Sequence, residues 1–349
     1  MEHAASVITQ LKDFWYIAAE SRELNSRPVR RTLLGEPLVL FRKANGSPAA
    51  LIDRCAHRNM ALSRGRIRDD LIECPYHGWR YRDDGKCIYI PSLPQQTDLP
   101  DPARVRAFPA VQSDEYVWVY MGTDPPAGPP PRFPHCGEPR WTTFKMKTRF
   151  QASALACLEN FLDCPHTVYV HRGWFRSPHI NQVRATVARH ADRIEVRFTA
   201  ERDAQSIVSR LLFPSGKNLL HTDRFLMPST SRVDYHFGPD RRFIITSQCT
   251  PISDDETEVY TVISFRFRRI GSLIRLLFEP LSRRIIRQDV EILRHQTAQL
   301  KRFGGAHFVS TESDIVGPDI LKLWQQATSK NHMKKTEEPL ERRNVVLRF

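Results

Sequence analysis

Two short loops, each offering one Cys and one His, are the feature that most constrains this chain. The first loop is Cys55-Ala-His57, and after sixteen residues the second is Cys74-Pro-Tyr-His77. In one kind of [2Fe–2S] cluster, two Cys hold one iron and two His hold the other, which raises the reduction potential. The pattern therefore predicts a one-electron centre of this kind, and Gly78 would let the backbone pass close to it.

A structural zinc site with two Cys and two His is the alternative for these loops. Such sites usually pair Cys with Cys and His with His, whereas both loops here read Cys and then His. The ligand order therefore favours the mixed-ligand iron–sulfur centre, known as a Rieske cluster.

The length of 349 residues is enough for two domains, each with its own core. No secretory leader is visible, and no run of eighteen apolar residues suggests a transmembrane segment. Five further cysteines show no paired spacing and receive no role, which suits a reducing cytoplasm. They are Cys87, Cys136, Cys157, Cys164 and Cys249. We therefore expect a cytoplasmic protein without a membrane span.

The net charge of +13 comes from Arg residues scattered along the chain. They lack the clustering and aromatic interleaving of a nucleic-acid-binding face, so no nucleic-acid partner is expected. The charge is interpreted as a solvated basic surface, or as a field that steers an acidic electron donor. The basic, amphipathic residues 272–278 could touch a membrane surface, although a core-facing helix is the favoured interpretation.

Strand and turn signals dominate the first half of the sequence. Residues 32–41 and 49–52 flank Asn45-Gly46, a pair typical of tight hairpin turns, and residues 116–121 form another predicted strand. Six prolines then occur within residues 124–134, which indicates a semi-rigid connector. We predict an α+β protein with an all-β cluster domain at 1–123, a linker at 124–135, a catalytic domain at 136–329 and a charged tail at 330–349.

The second half mixes helical and strand patterns. A helical pattern covers residues 155–166, and a long one runs from 272 to 303 with Pro280 as a kink. Four segments show strand-like alternation between them: residues 186–198, 207–213, 243–249 and 259–267. An antiparallel sheet with accompanying helices is therefore expected in this domain.

A second group of metal ligands is predicted around residue 166. Asp163 and His166 share a helix face, and Pro165 disturbs the helix so that His171 can converge with His166. Two His and one carboxylate form the facial triad of non-heme Fe(II) oxygenases. Asp289 is the best third ligand because it lies on the apolar face of the long helix. The alternative is a set of hydrogen-bonded core groups, and Glu291 is expected to face solvent.

Together these motifs resemble the α subunit of a Rieske non-heme iron oxygenase over nearly the whole chain. The resemblance is to the compact branch without a β subunit, which includes demethylases and arylamine oxygenases. It rests on Phe14-Trp-Tyr-Ile-Ala-Ala, the two Cys–His loops, the run from Glu159 to His171, and Gln288-Asp289. It implies that Cys55, His57, Cys74 and His77 hold the [2Fe–2S] cluster, and that His166, His171 and Asp289 hold one mononuclear Fe(II).

The same resemblance implies a head-to-tail homotrimer, in which Asp163 bridges a cluster His of one subunit and His166 of the next. The alternative role for Asp163 is a local cap or a pairing with Arg. The implied function is hydroxylation or O-/N-demethylation of a small organic molecule with O2. Electrons would come from NAD(P)H through a reductase or ferredoxin.

Two other functions are compatible with the same motifs. One is cis-dihydroxylation of an arene, and the other is electron transfer or redox sensing without oxygenase activity. The substrate is not named by the sequence. Phe213, Phe243 and Phe265 could line the substrate pocket, although ordinary core positions are favoured for them.

Overall fold

The structure is a computed structural model that describes residues 11–94, 99, 101–172, 182–199, 219–238, 241–267, 271–329 and 337–348. The chain divides into two compact units: Lys12–Arg132 forms one, and Phe133–Phe349 forms the main part of the other. The division falls within the residues for which the sequence predicts a proline-rich linker. Both Cys–His loops therefore belong to the first unit, and all three predicted ligands of the mononuclear iron belong to the second.

The first unit consists of short β-strands with two 3₁₀ turns among the residues described. The strands are β1 (Trp15–Glu20), β2 (Val29–Leu33), β3 (Glu36–Arg42), β4 (Pro48–Ile52), β5 (Arg66–Arg68), β6 (Leu71–Glu73), β7 (Arg80–Tyr81), β8 (Cys87–Tyr89), β9 (Ala107–Phe108), β10 (Ala110–Ser113) and β11 (Tyr116–Tyr120). They form three antiparallel sheets with the orders β1-β11-β10, β2-β3-β4-β9 and β5-β6-β7-β8. The predicted all-β cluster domain is confirmed.

Tight turns set the register of the second of these sheets. The sequence predicted one strand over residues 32–41, but β2 and β3 are separate strands joined at Leu34 and Gly35, with φ values of 51° and 78°. Two consecutive positive φ values match a two-residue hairpin turn, which suits the twist of the paired strands. The predicted turn at Asn45-Gly46 is present between β3 and β4, with φ of 83° at Gly46.

An apolar cluster in the first unit anchors both Cys–His loops. Cys55 and Cys74 are fully buried and belong to the same core as Tyr81. This core also contains fully buried aliphatic side chains, among them Val39, Leu51, Leu62 and Ile72. The thiols therefore start from a close-packed base, which fixes the roots of both loops.

The second unit is built on one eight-stranded antiparallel sheet. Its strands are β12 (Thr142–Phe150), β13 (Gln182–Arg189), β14 (Arg193–Thr199), β15 (Leu220–Leu226), β16 (Thr230–His236), β17 (Arg241–Ser253), β18 (Glu256–Phe267) and β19 (Glu341–Arg348). The order across the sheet is β12-β18-β17-β16-β15-β14-β13-β19. The helices are α1 (Ala154–Leu162), α2 (His166–Tyr169), α3 (Gly271–Arg302) and α4 (Gly317–Thr328). The predicted α+β catalytic domain is confirmed.

Three predicted strand segments fall on this sheet. Residues 243–249 and 259–267 lie within β17 and β18, which pair over most of their length. Residues 186–198 are two strands rather than one, because the chain turns at residues 190–192 between β13 and β14. The fourth segment, residues 207–213, lies outside the described residues, as does Phe213.

The predicted charged tail is wrong over residues 341–348. These residues form β19, which pairs with β13 from Gln182↔Arg348 to Arg189↔Glu341. Val345 and Leu347 point inward and are buried, while their neighbours along the strand are exposed. The high charge of the segment concealed this period-two alternation, which is the signal for a strand with one buried face.

Helix α3 follows the prediction for residues 272–303 and contains Pro280 in its interior. Phe278 is buried and packs against Phe243 and Phe265, with ring centroids 5.8 and 6.4 Å away. This contact agrees with the core-facing interpretation of the segment, and it places Phe243 and Phe265 in an apolar core. Within the described part of the chain, no helix combines the length and the apolar character needed to cross a membrane.

Candidate metal centres

The two Cys–His loops share one backbone design. In the first, the amide of Cys55 donates to the carbonyl of Met60, and the amide of Asn59 donates back to the carbonyl of Cys55. In the second, Cys74 N donates to Trp79 O at 2.8 Å, and Gly78 N donates to Cys74 O at 3.1 Å. Each loop is therefore a closed turn, which holds its Cys at the base and leads its His outward.

The structure brings the four predicted cluster ligands to one place. Cys55 and Cys74 lie close enough for Cys55 to add to the effect of burial, which raises the pKa of Cys74. The rings of His57 and His77 are 4.5 Å apart, and His57 also stacks on Trp79 at 4.7 Å. The buried Nδ1 of His57 has no hydrogen-bond partner among the described residues.

This donor set fits a [2Fe–2S] cluster. Two buried thiols repel each other as thiolates, and bound iron removes that penalty because it coordinates the deprotonated form. An unpartnered buried nitrogen is costly unless it has a ligand. The irons of the cluster would supply positive charge to the two thiolates.

Two neighbouring residues shape this centre. The hydroxyl of Tyr81 lies 3.1 Å from Cys55 Sγ and also accepts from the amide of Ala56. Gly78 has a φ of +70°, and a Cβ there would lie 2.8 Å from Cγ of Pro91. The turn and the close approach of Pro91 therefore both favour glycine at this position.

The second unit brings His166, His171 and Asp289 together. His166 begins α2, His171 follows its end, and Asp289 lies on α3. Asp289 Oδ1 is 3.1 Å from His171 Nε2 and 3.6 Å from His166 Nε2, and the two Nε2 atoms are 3.3 Å apart. Adjacent ligands on one ion, each about 2.1 Å from it, would be separated by about 3.0 to 3.4 Å. Two of the three separations lie in this range and the third, 3.6 Å, is slightly longer, so small movements of the side chains would let all three bind one metal ion.

Hydrogen bonds at the far nitrogens orient both imidazoles. His171 Nδ1 is 2.9 Å from Gln288 Oε1, and His166 Nδ1 contacts the carbonyl oxygen of Asp163. Both partners can only accept, so in the neutral form of each imidazole Nδ1 carries the proton and Nε2 keeps its lone pair. This is the tautomer that a metal ligand needs, and such outer partners fix the ring orientation. Gln288 received no role from the sequence, although it adjoins Asp289.

Burial and charge oppose each other at the carboxylate. Burial tends to raise the pKa of Asp289, but the adjacent His166 and His171, when they are protonated, outweigh burial and lower the pKa. Conversely, burial tends to lower the pKa of His171, but Asp289 and Gln288 outweigh it and raise the pKa. Protons and a metal ion therefore compete for the same lone pairs at this site.

Asp163 caps the segment that carries His166. It ends α1, and its Oδ2 accepts from the amide of His166 at 3.2 Å and lies 3.7 Å from His166 Nδ1. The side chain is 41% exposed. The contact with His166 and the capping role are both present within one chain. Glu291 is exposed and pairs with Arg294 and His295, as expected for a solvent-facing residue.

Each of the two units matches a known protein-domain family. Residues 14–109 match the Rieske [2Fe-2S] domain, and residues 150–328, about half of the chain, match the vanillate O-demethylase oxygenase C-terminal domain. Aminopyrrolnitrin oxygenase PrnD of Pseudomonas fluorescens is 27% identical over 318 residues, which cover 83% of this chain and 85% of that one. The oxygenase component of dicamba O-demethylase from Stenotrophomonas maltophilia is 34% identical over 168 residues, 47% of this chain and 49% of that one.

Solved structures share the fold. Dicamba monooxygenase bound to 3,6-dichlorosalicylic acid superposes with a TM-score of 0.78 at 21% identity, covering 93% of this chain and 99% of that one. NdmB of Pseudomonas putida gives a TM-score of 0.76 at 23% identity, covering 93% of each chain. Sequence motifs, donor geometry and both domain matches therefore agree, and the chain belongs to the Rieske non-heme iron oxygenases, as an oxygenase component with a [2Fe–2S] cluster and a mononuclear iron.

Proposed function

We propose that this oxygenase component hydroxylates a small organic molecule, or removes an O- or N-methyl group from it. It uses O2 and electrons that a reductase or ferredoxin delivers from NAD(P)H. The observation that carries the proposal is the converging set of His166, His171 and Asp289 in a chain that also holds a Rieske-type donor set. Relatives named as an oxygenase, an O-demethylase and an N3-demethylase support the reaction class.

Each group of residues has a distinct task in this reaction. His166, His171 and Asp289 would hold Fe(II), which supplies O2 activation on its open positions when bound. Gln288 and the carbonyl of Asp163 keep the proton on each Nδ1, which leaves both Nε2 atoms available. Burial of His171 and Asp289 limits access of bulk water. In the other unit, Tyr81 can donate a hydrogen bond to Cys55 sulfur, which stabilises added negative charge there.

Metal analysis tests the two centres together. In anaerobically purified protein we expect about three irons and two sulfides per chain, because one mononuclear iron adds to a [2Fe–2S] cluster. Asp289→Ala should lose about one iron per chain and all substrate oxidation, while its cluster spectrum stays unchanged. Glu291→Ala is the matched control, since that exposed carboxylate lies on the same helix. Unchanged iron content in Asp289→Ala, or zinc in place of the cluster, contradicts the proposal.

Product analysis separates the reaction types. With labelled O2, hydroxylation places one labelled atom in the product, whereas cis-dihydroxylation of an arene places two. Release of formaldehyde from a methoxy or N-methyl substrate identifies demethylation. A protein that contains both metals but oxidises none of these substrate classes, and only exchanges electrons, would instead support the electron-transfer or redox-sensing alternative.

A head-to-tail homotrimer is the proposed assembly, with Asp163 linking a cluster His of one subunit to His166 of the next. Two features support it: His77 and the half-exposed Asp163 carboxylate are accessible to another chain, and Asp163 already contacts His166. In single-turnover experiments, Asp163→Asn should slow oxidation of the reduced cluster by roughly tenfold or more, with normal iron content. Glu312→Gln, an exposed acid in the same unit, should behave as wild type. A monomeric native mass contradicts the assembly.

A cytoplasmic location is proposed on the cysteine chemistry. None of the seven cysteines, all of which lie among the described residues, forms a disulfide, and the centres need reduced thiols and reducing partners. The electron donor is proposed to be acidic, because the net charge of this chain is +13. The rate at which the donor reduces the cluster should then fall as ionic strength rises. A rate that is independent of salt contradicts this part of the proposal.

A further inference from the structure

A second buried group of polar side chains includes Cys164, two residues before His166, and the function described above does not use it. Cys164 Sγ is 3.8 Å from Asp223 Oδ2, and Asp223 Oδ1 is 2.7 Å from His221 Nε2. All three side chains are buried: Cys164 is 5% exposed, Asp223 2% and His221 0%. We call these three residues the buried triad.

Distances distinguish hydrogen bonds from a shared metal in this group. Ligand atoms on one ion would lie about 3.0 to 3.4 Å apart. The 2.7 Å between His221 Nε2 and Asp223 Oδ1 is shorter, and it is the length of a charge-assisted hydrogen bond. The 3.8 Å between Cys164 and Asp223 is typical of a thiol donor. The triad is therefore held by protons, with the Asp223 carboxylate as the shared acceptor.

The sheet fixes the position of Asp223. His221 lies on β15 directly opposite Phe198 of β14 and Tyr235 of β16. Its ring stacks between theirs at 4.4 and 4.3 Å, so the imidazole is clamped on both faces. Asp223 lies two residues further on the same face of the sheet, where its cross-strand neighbours are valines. The carboxylate is thereby anchored on a rigid, mostly apolar surface.

Cys164 connects this anchor to the iron ligand. Its carbonyl accepts from both the amide and the hydroxyl of Thr167, which closes the turn that begins α2 at His166. Its side chain points to Asp223, 59 residues away in sequence. The residue before it, Asp163, presents the carbonyl that orients the His166 ring. One residue therefore ties the His166 turn to β15.

We propose that the buried triad positions His166 for iron binding, with Asp223 and Cys164 as positioning residues. This inference rests on the proposed role of His166 as an iron ligand. Without the thiol-to-carboxylate link, the Asp163–His166 turn can shift relative to α3, which carries Asp289. A displaced His166 Nε2 weakens the iron site while the ligand set stays complete. Outer partners of metal ligands typically contribute about 10- to 100-fold in affinity.

Iron affinity and a spectroscopic signature test this directly. Protein with an intact cluster is depleted of mononuclear iron and titrated with Fe(II). The nitric oxide adduct of the iron is then recorded by EPR, with the reduced cluster as internal reference. Cys164→Ala and Asp223→Asn should weaken Fe(II) binding by about 10- to 100-fold and broaden the nitric oxide signal. Cys164→Ser retains a donor at the same position and should recover most of the affinity.

The matched control is Asp234→Asn. Asp234 is as buried as Asp223, but it pairs with Arg224 and Arg232, and it points away from the face that carries Tyr235. It should lower stability without changing iron affinity. The proposal is overturned if Cys164→Ala and Asp223→Asn bind iron like wild type, or if Asp234→Asn loses affinity equally. Stoichiometric zinc that disappears in Cys164→Ala also overturns it, in favour of a metal at the triad.

Failure of the proposed function has a different pattern. In that case the wild-type protein itself binds no Fe(II) outside the cluster, and Asp289→Ala changes nothing. The positioning proposal would then fail together with the proposed function. If instead the wild type binds Fe(II) normally and the Cys164 and Asp223 variants bind it equally well, only the positioning role is refuted.

Discussion

Glu159 provides a quantitative test of the environment beside the iron-binding segment. It lies on α1, one turn before Asp163, and its carboxyl group packs against Gly317, where a Cβ would lie only 1.8 Å from Oε1. Burial is the main factor that raises the pKa of this carboxyl group, and the negative charges of Asp314 and Asp163 raise it further. Together they raise the pKa of Glu159 from 4.5 to about 7.

The direction of the pH effect follows from proton linkage. Because the folded pKa lies above the unfolded value, the folded state binds the proton more tightly. Glu159 therefore does not destabilise the fold below about pH 4.5, and it destabilises the fold progressively as pH rises toward 7. A difference of about 2.5 pKa units corresponds to about 3 kcal/mol. This destabilisation is fully present above pH 7 in the wild type.

Glu159→Gln removes the ionisation and should relieve this destabilisation. For a domain of 150–250 residues, about 3 kcal/mol corresponds to a rise in Tm of about 6 to 12 °C at pH 8. At pH 5 the variant and the wild type should differ much less. Scanning calorimetry at matched scan rates, from pH 5 to 8, measures the difference.

Glu291→Gln is the control for this experiment. That carboxylate is exposed, and its hydrogen bonds to Arg294 and His295 lower its pKa, so the substitution should not stabilise the protein at any pH. If Glu159→Gln raised Tm equally at pH 5 and pH 8, or lowered it at pH 8, the assignment of a raised pKa to Glu159 would be refuted.

Three further substitutions probe the two metal centres. Gln288→Ala removes the acceptor at Nδ1 of His171 and should weaken mononuclear iron binding by about 10- to 100-fold, measured by Fe(II) titration; unchanged affinity would mean that this ring needs no such partner. Tyr81→Phe removes a hydrogen bond to Cys55 worth about 1 kcal/mol, so the cluster potential should fall by about 40 mV in a redox titration, and a rise would contradict this reasoning. Gly78→Ala forces a side chain into a left-handed turn, which costs about 1 to 2 kcal/mol before any clash. It should reduce cluster content per chain, and full cluster occupancy at unchanged Tm would show that the turn adapts.

Local motifs allowed the ligands to be predicted from the sequence. Cys55 with His57, and Cys74 with His77, each lie in one short loop, so spacing alone carries the information. His166 and His171 are also close in sequence. Pro165 interrupts the helical segment before His166, and α2 ends at Tyr169 before His171, so the two imidazoles can converge. Asp289 required a further argument, namely a carboxylate on the apolar face of a long helix.

Residues whose role depends on long-range pairing could not be predicted. The contact between Gln288 and His171 spans 117 residues, and its presence depends on the rotation of α3 about its axis. The buried triad depends on the register of β14, β15 and β16, which no local pattern specifies. The separate strands β2 and β3 were missed because Leu34-Gly35 lacks the usual Asn or Asp of such a turn.

The C-terminal strand β19 also has a consequence for self-association. It occupies one edge of the eight-stranded sheet, beside β13, whose Val183, Ala185 and Val187 are buried. The side chains of Arg342 and Arg348 on β19 are exposed. Charged side chains on an edge strand disfavour the pairing of a strand from another chain with the sheet. Removing residues 341–348 would leave β13, with its one apolar face and open backbone donors and acceptors, at the edge of the sheet, so the truncated protein should aggregate during refolding.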